Sequence, residues 1–233
     1  VTSLGYRPFR NCTSLATVII GTGLTSIGES EFDSCASLTS VTFTSPSSAN
    51  SIGSYAFAYT PLTSITIPNS VLTIVSRAFS YCSSLATATI GTGVTSIGNS
   101  AFNHSGLTSV TFTSPSSANS IGSYAFAYTP LTSITIPDSV NSIGSSAFYY
   151  CSSLTSITIP NSVLTVGSNA FRYCANLATV LCYVPQSAFV GSNAFYYTSS
   201  PLTIRARSTD ASWTTGTGLT FQGNTNVTVI KNL

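Results

Sequence analysis

Read for its alternation of apolar and polar positions, the chain repeats one short pattern almost from end to end. Residues 131–153 carry it in full. Leu131, Ile134 and Ile136 alternate with Ser133 and Thr135; Pro137 follows, then Val140, Ile143 and Gly144, the pair Ala147–Phe148, and finally Tyr150 and Cys151. A period of two predicts a strand with one buried face. Pro137 ends that strand, because proline has no N–H for a ladder. Val140 and Ile143 predict a second short extended segment facing inward. Gly144 predicts a tight bend that a Cβ would obstruct, and Ala147–Phe148 a helical or 3-10 turn that carries both side chains into the core.

The pattern opens at Leu15, Leu38, Leu62, Leu85, Leu107, Leu131, Leu154 and Leu177, at intervals of 22 to 24 residues. One such unit cannot bury its own apolar face, but stacked units can, so the period predicts a repeat solenoid of short β-strands and turns. Nine coils at ~5 Å each would make it ~45 Å long. The predicted solenoid covers residues 1–202, with a half coil at 1–14 followed by the eight units. Residues 203–233 leave the repeat and read as a C-terminal cap or a strand-donating tail, with a strand-like run at Asn226–Lys231. The expected core is one file of Phe57, Phe79, Phe102, Phe126, Phe148, Phe171 and Phe195, with Phe43, Ile67, Phe112, Ile136 and Ile159 buried behind the strand face. A longer copy lies over the short one: residues 38–71 and 107–140 are identical except for Asn69 and Asp138.

The string from Ile65 to Cys82, and again from Ile134 to Cys151, resembles the BspA-like leucine-rich repeats of bacterial and protist surface proteins. The resemblance implies a right-handed solenoid, secretion or display at the cell surface, and adhesion or binding of host and matrix proteins. It supplies no catalytic residues.

Composition narrows the function further. Charged residues are 5% of the chain and the net charge is +2, so there is no basic stripe for nucleic acid and no field for steering an anion. No apolar run approaches the ~20 residues of a membrane span. Ser and Thr, about a third of the residues, supply the polar surface instead. Glu29, Glu31 and Asp33 hold three of the five carboxylates, but no Gly-turned Asp/Asn loop of a calcium site accompanies them. His104 is the only histidine and sits in a slot filled elsewhere by tyrosine, so neither a zinc site nor a Ser/His hydrolase is expected. No catalytic residue, cofactor or metal is expected.

Four features remain as candidates for function or modification. The outward strand positions make a double file of hydroxyls, one file being Thr42, Thr66, Thr89, Thr111, Thr135 and Thr158. Such a lattice could bind a regular surface such as ice, or serve only as good strand chemistry. A second file, Tyr59, Tyr81, Tyr128, Tyr150, Tyr173 and Tyr197, could dock a protein or glycan. Sequons at Asn11, Asn103 and Asn226 could be N-glycosylated. Cys12–Cys35 and Cys151–Cys174 fall in one repeat slot on adjacent coils, close enough to bridge, although Thr and Ser elsewhere in the slot show that a bridge is not required.

Three functions stay open: an adhesion or binding module for protein or glycan, a self-associating structural subunit of an extracellular filament or layer, and an ice-binding protein. For the filament, Val1, Leu4 and Phe9 occupy core slots of an incomplete coil. That end is expected to be covered by an upstream segment, by other parts of the chain, or head to tail by the Val227–Ile230 run of another copy.

Overall fold

A computed structural model describes residues 1–232. The chain winds as a β-solenoid with three sides to each coil. On the first side lie the longer strands, Thr17–Ile20, Ser40–Phe43, Ser64–Thr66, Thr87–Ile90, Ser109–Phe112, Ser156–Ile159, Thr179–Cys182 and Leu202–Ala206. On the second lie two-residue strands from Ser51–Ile52 to Thr165–Val166, joined in one six-stranded parallel sheet. Pairing is coil to coil and in register: Ser64 lies against Thr87 and Thr87 against Ser109.

The third side is the segment that the sequence reading made helical or 3-10. It is neither, and the one 3-10 turn among the described residues is Gln186–Ala188, outside this side of the repeat. Every second N–H here points to the next coil instead: Phe57 N donates to Ala78 O at 2.8 Å and Tyr59 N to Ser80 O at 3.0 Å. The chain can alternate this way because two residues per coil are left-handed, as at Tyr55 (φ 56°) and Tyr59 (φ 58°). An unpaired buried backbone group would be costly, so the stack satisfies this side by inter-coil bonds rather than by a helix.

The interior is a single column of phenylalanines. Phe57, Phe79, Phe102, Phe126, Phe148, Phe171 and Phe195 are fully buried. With Phe9 and Phe32 they stack at 5.1 to 5.5 Å between ring centroids. Ile67, Ile136 and Ile159 are buried behind the strands as expected. Phe43 and Phe112 are not; each is half-buried. Their coils carry two more residues between the first and second strands than the coil at Leu62 does, counting Phe43 to Ile52 against Ile67 to Ile74. The extra length forms loops at 44–49 and 113–118 that draw the strand ends away from the core.

Gly144 has no left-handed φ, so its role is not the bend. A Cβ there would lie 2.6 Å from Ser123 N and 2.7 Å from Gly122 C. Glycine is needed because adjacent coils touch backbone to backbone at this corner.

The two ends differ. Leu202–Ala206 continues the ladder beside Thr179–Cys182, so repeat-like pairing runs past residue 202. Asn224–Lys231 then pairs parallel to Leu202–Ala206 and antiparallel to Gly216–Phe221. The hairpin turns on Gln222 and Gly223, both at positive φ, the geometry whose twist suits a two-residue hairpin. Trp213 is buried under this cap and donates Nε1–H to Val184 O at 2.9 Å. The expectation of a free donor strand at Val227–Ile230 is therefore corrected: both edges of that strand are occupied within its own chain.

At the other end, Leu4 and Phe9 pack partly against the core while Val1 is 91% exposed. The acidic cluster holds this half coil in place. Arg7 pairs with Glu29, and Arg10 Nε lies 2.9 Å from Asp33 Oδ2. Glu31 is buried and accepts the Gly28 N–H. In the next coil the equivalent N–H, that of Gly53, finds Ile27 O at 2.9 Å. Glu31 thus supplies the acceptor that a preceding coil supplies elsewhere, and burial pushes its carboxyl pKa up.

Candidate functional site

The tyrosines of the left-handed third side form an outer counterpart to the phenylalanine column. Tyr59, Tyr81, His104, Tyr128, Tyr150, Tyr173 and Tyr197 stand one above another, with centroids 4.2 to 5.4 Å apart. Five of them, Tyr59, Tyr81, Tyr128, Tyr150 and Tyr197, are 39% to 56% exposed. Burial lowers the pKa of His104, whose ring lies between Tyr81 and Tyr128. Arginines flank the ridge, with Arg77 over the Tyr55 ring at 5.4 Å and Arg172 over Tyr173 at 4.9 Å.

Stacking hides the ring faces and leaves a rib of ring edges and phenol hydroxyls toward solvent. The coil does not need an aromatic ring in this slot, since Asn11 and Ser34 fill it in the first two coils. A β-carbon in the left-handed region costs roughly 1–2 kcal/mol, which Asn bears best and Gly, having none, escapes. Tyrosine recurs at a position where backbone preference argues against it.

The hydroxyl file on the strand side is in register. Thr42, Thr66, Thr111 and Thr135 are exposed, and Thr89 and Thr158 half-buried. The lattice is not continuous, however. Strand pairing stops between Ser40–Phe43 and Ser64–Thr66, and again after Ser109–Phe112, where Thr135–Thr158 is an isolated bridge. Both breaks follow the longer coils.

The cysteine slot has a chemical explanation that repeat spacing alone could not give. Cys35, Cys82, Cys151 and Cys174 each donate a thiol hydrogen bond to the phenylalanine carbonyl of the preceding coil, at 3.0 to 3.1 Å. Thr60 and Thr129 instead bond their own coil's carbonyl, at 2.7 Å. The slot takes a small side chain, which uses its donor in these coils, while Ser105 in the same slot is buried with its hydroxyl unpartnered. All six cysteines are unpaired in this structure. Cys12 lies beside Cys35, and Cys151 beside Cys174. Burial raises the Cys82 pKa to about 11 and that of Cys182 to about 12, so neither is a ready nucleophile.

The sequons fall on different surroundings: Asn11 and Asn226 are exposed, Asn103 half-buried. Ser105 is buried while its neighbour His104 stacks in the ridge. Among the described residues no group of three or more His, Cys, Asp or Glu could hold a metal, and no helix is long and apolar enough to cross a membrane.

Comparison with known proteins agrees with this architecture. The family model for the BspA type Leucine rich repeat region (6 copies) matches residues 2–129 and 119–221. A leucine rich cell surface protein from Faecalibacterium prausnitzii is 30% identical, with a TM-score of 0.56, over 85% of this chain and 64% of its own. The chain thus spans a little under two thirds of that relative. A leucine-rich repeat protein from Bacteroides ovatus shares the fold at 22% identity and a TM-score of 0.53, over 99% of this chain and 78% of its own. No curated protein matches.

Proposed function

Because the chain belongs to the BspA-type leucine-rich-repeat family, we propose that it is a non-enzymatic surface protein that binds a protein or glycan partner and serves adhesion. The observation that carries this reading is the exposed ridge from Tyr59 to Tyr197. Tyrosine gives large contact area and a hydrogen-bonding tip at low cost in side-chain entropy, which is why it is favoured at interfaces. Here it recurs at a backbone position that does not favour it. The cell-surface description of the Faecalibacterium protein supports display outside the cell.

The test is retention of protein-coated beads on cultured epithelial cells and on matrix-coated glass. The triple variant Tyr59→Ser, Tyr128→Ser and Tyr150→Ser should keep its fold by circular dichroism and lose most retention. Full retention by that variant would remove the ridge from the function, and failure of the unaltered chain to adhere to either surface would remove the adhesion reading.

A further inference from the structure

The two longer coils build one groove twice. In the second groove Phe112, the loop at Ser114–Pro115 and, from the next coil, Thr135, Pro137 and Asp138 enclose about 590 Å3. The first, at the equivalent place, encloses about 730 Å3. Every residue lining the second groove recurs in the lining of the first, 69 positions earlier. At these shared positions the only difference of identity is Asn69 in the first for Asp138 in the second, while the first groove also reaches Thr89 and Thr113. The outer loops are anchored alike: Ser70 Oγ donates to Ala49 O at 2.7 Å, and Ser139 Oγ to Ala118 O at 2.6 Å. Three coils separate the grooves, so they repeat at about 14 Å along the axis.

The lining chemistry is that of a sugar site. Serine and threonine hydroxyls and one side-chain amide or carboxylate can donate to and accept from vicinal hydroxyls. The half-exposed Phe43 and Phe112 rings and the proline surfaces suit the C–H face of a pyranose. A protein hot spot would instead center on a Trp, Tyr or Arg anchor, and neither groove is lined by one. Nor can a peptide add as a strand. Thr63 N still reaches Thr39 O at 3.4 Å across the first break, and Thr132 N reaches Thr108 O at 3.4 Å across the second.

The single difference says what kind of sugar. Asn69 Oδ1 is held by Thr92 N at 2.9 Å. Asp138 is exposed and, among the described residues, is the one carboxylate with neither an ion pair nor a hydrogen bond. Glu29 and Asp33 pair with arginines, Glu31 accepts the Gly28 N–H, and Asp210 accepts from Ser212 N and Oγ.

Resting on the surface-binding reading above, we infer that the paired grooves hold an extended polysaccharide, and that the Asp138 groove takes a sugar bearing a free amino group. One chain lying along both grooves would gain from the second site as an intramolecular event.

The probe is a set of short glucosamine oligomers with free amines, beside the same oligomers N-acetylated, titrated calorimetrically into the intact chain. Both should bind, two per chain, and the free-amine form should bind more tightly at low salt. Asp138→Asn should lower affinity for the free-amine oligomer about three- to fivefold, as for an exposed charge pair, and leave the acetylated one unchanged. Asn69→Asp should raise free-amine affinity by a similar factor. Both variants keep the fold safe, since each residue already occupies the matching position three coils away. Absence of binding by both oligomers overturns the inference, as does a free-amine preference that survives Asp138→Asn. If beads still adhere while both oligomers fail, the sugar inference falls and the adhesion reading stands; if adhesion fails too, both fall.

Discussion

Phe57 and Tyr59 lie two residues apart on the same turn, and each belongs to a file with nearly the same spacing. The inner rings stack at 5.1 to 5.5 Å and the outer at 4.2 to 5.4 Å. The repeat imposes the spacing on both. What separates them is water: Phe57 is fully buried and Tyr59 is 52% exposed. Ring stacking adds about 0.5–1.5 kcal/mol to a pair, whereas burying a phenylalanine side chain is worth about 1.5–3 kcal/mol by transfer alone. The inner file is therefore the stability of the solenoid, and the outer file is surface that stability makes available.

The largest expected effect tests that division directly. Phe126→Ala should destabilise by about 3–5 kcal/mol, from lost burial plus the cavity left between Phe102 and Phe148, read by urea unfolding followed by circular dichroism. Tyr128→Ala, two residues away, should cost clearly less, because its ring is 39% exposed and its removal leaves no closed cavity. Equal losses at the two sites would erase the distinction between core and ridge.

A second variant asks whether the inner column depends on the corner glycines that let coils close on one another. Gly144→Ala places a Cβ against the backbone of Ser123 and Gly122. Neither can yield as a flexible side-chain tip would, so a loss of about 1–3 kcal/mol is expected. A neutral result would return Gly144 to the role of a simple bend.

These sites also mark how far the amino-acid pattern could be read. Period and alternation located the strands, the phenylalanine column and the tyrosine file, because each depends on local spacing and burial. The pattern misplaced Phe43 and Phe112, since two inserted residues look like harmless loop until the coil around them is closed. It misread Ala147–Phe148 as a helical or 3-10 turn, because inter-coil hydrogen bonds leave no mark on the local sequence. The chemistry of the cysteine slot and the pairing of Val227–Ile230 within its own chain were hidden for the same reason: both depend on a partner about one coil away. The grooves were present in sequence only as a duplicated stretch with one changed residue.

A smaller effect should come from the one imidazole in the outer file. Burial between Tyr81 and Tyr128 lowers the His104 pKa below its ordinary 6.5. A depressed imidazole pKa means that the folded state binds its proton less readily than the unfolded state. The stability involved is present above pH 6.5 and is lost as pH falls from there through the lowered value. His104→Tyr, which restores the residue found in neighbouring coils, should abolish that loss. Melting temperatures compared just above and well below the ordinary value check it: the unaltered chain should fall further than the variant. Parallel curves would mean that His104 is solvated like a free side chain.

The smallest expected effect is the most discriminating about the outer file, because two contributions oppose each other at one residue. Tyr128 holds φ at 60°, where a side chain costs roughly 1–2 kcal/mol and glycine almost nothing. Replacing it with glycine removes three ring contacts, with His104, Tyr149 and Tyr150, each about 0.5–1.5 kcal/mol, and at the same time relieves the backbone. Tyr128→Gly should therefore lose less than the contacts alone would cost, while Tyr128→Ala, which loses the same contacts but keeps the strained backbone, should be the less stable of the two by about 1 kcal/mol. Unfolding curves for the two variants measured side by side decide the matter. If glycine is as damaging as alanine, the left-handed turn is held without strain and tyrosine sits there at no conformational cost. Nothing in the backbone would then single out the tyrosines as kept for their surface, even if the beads still adhered.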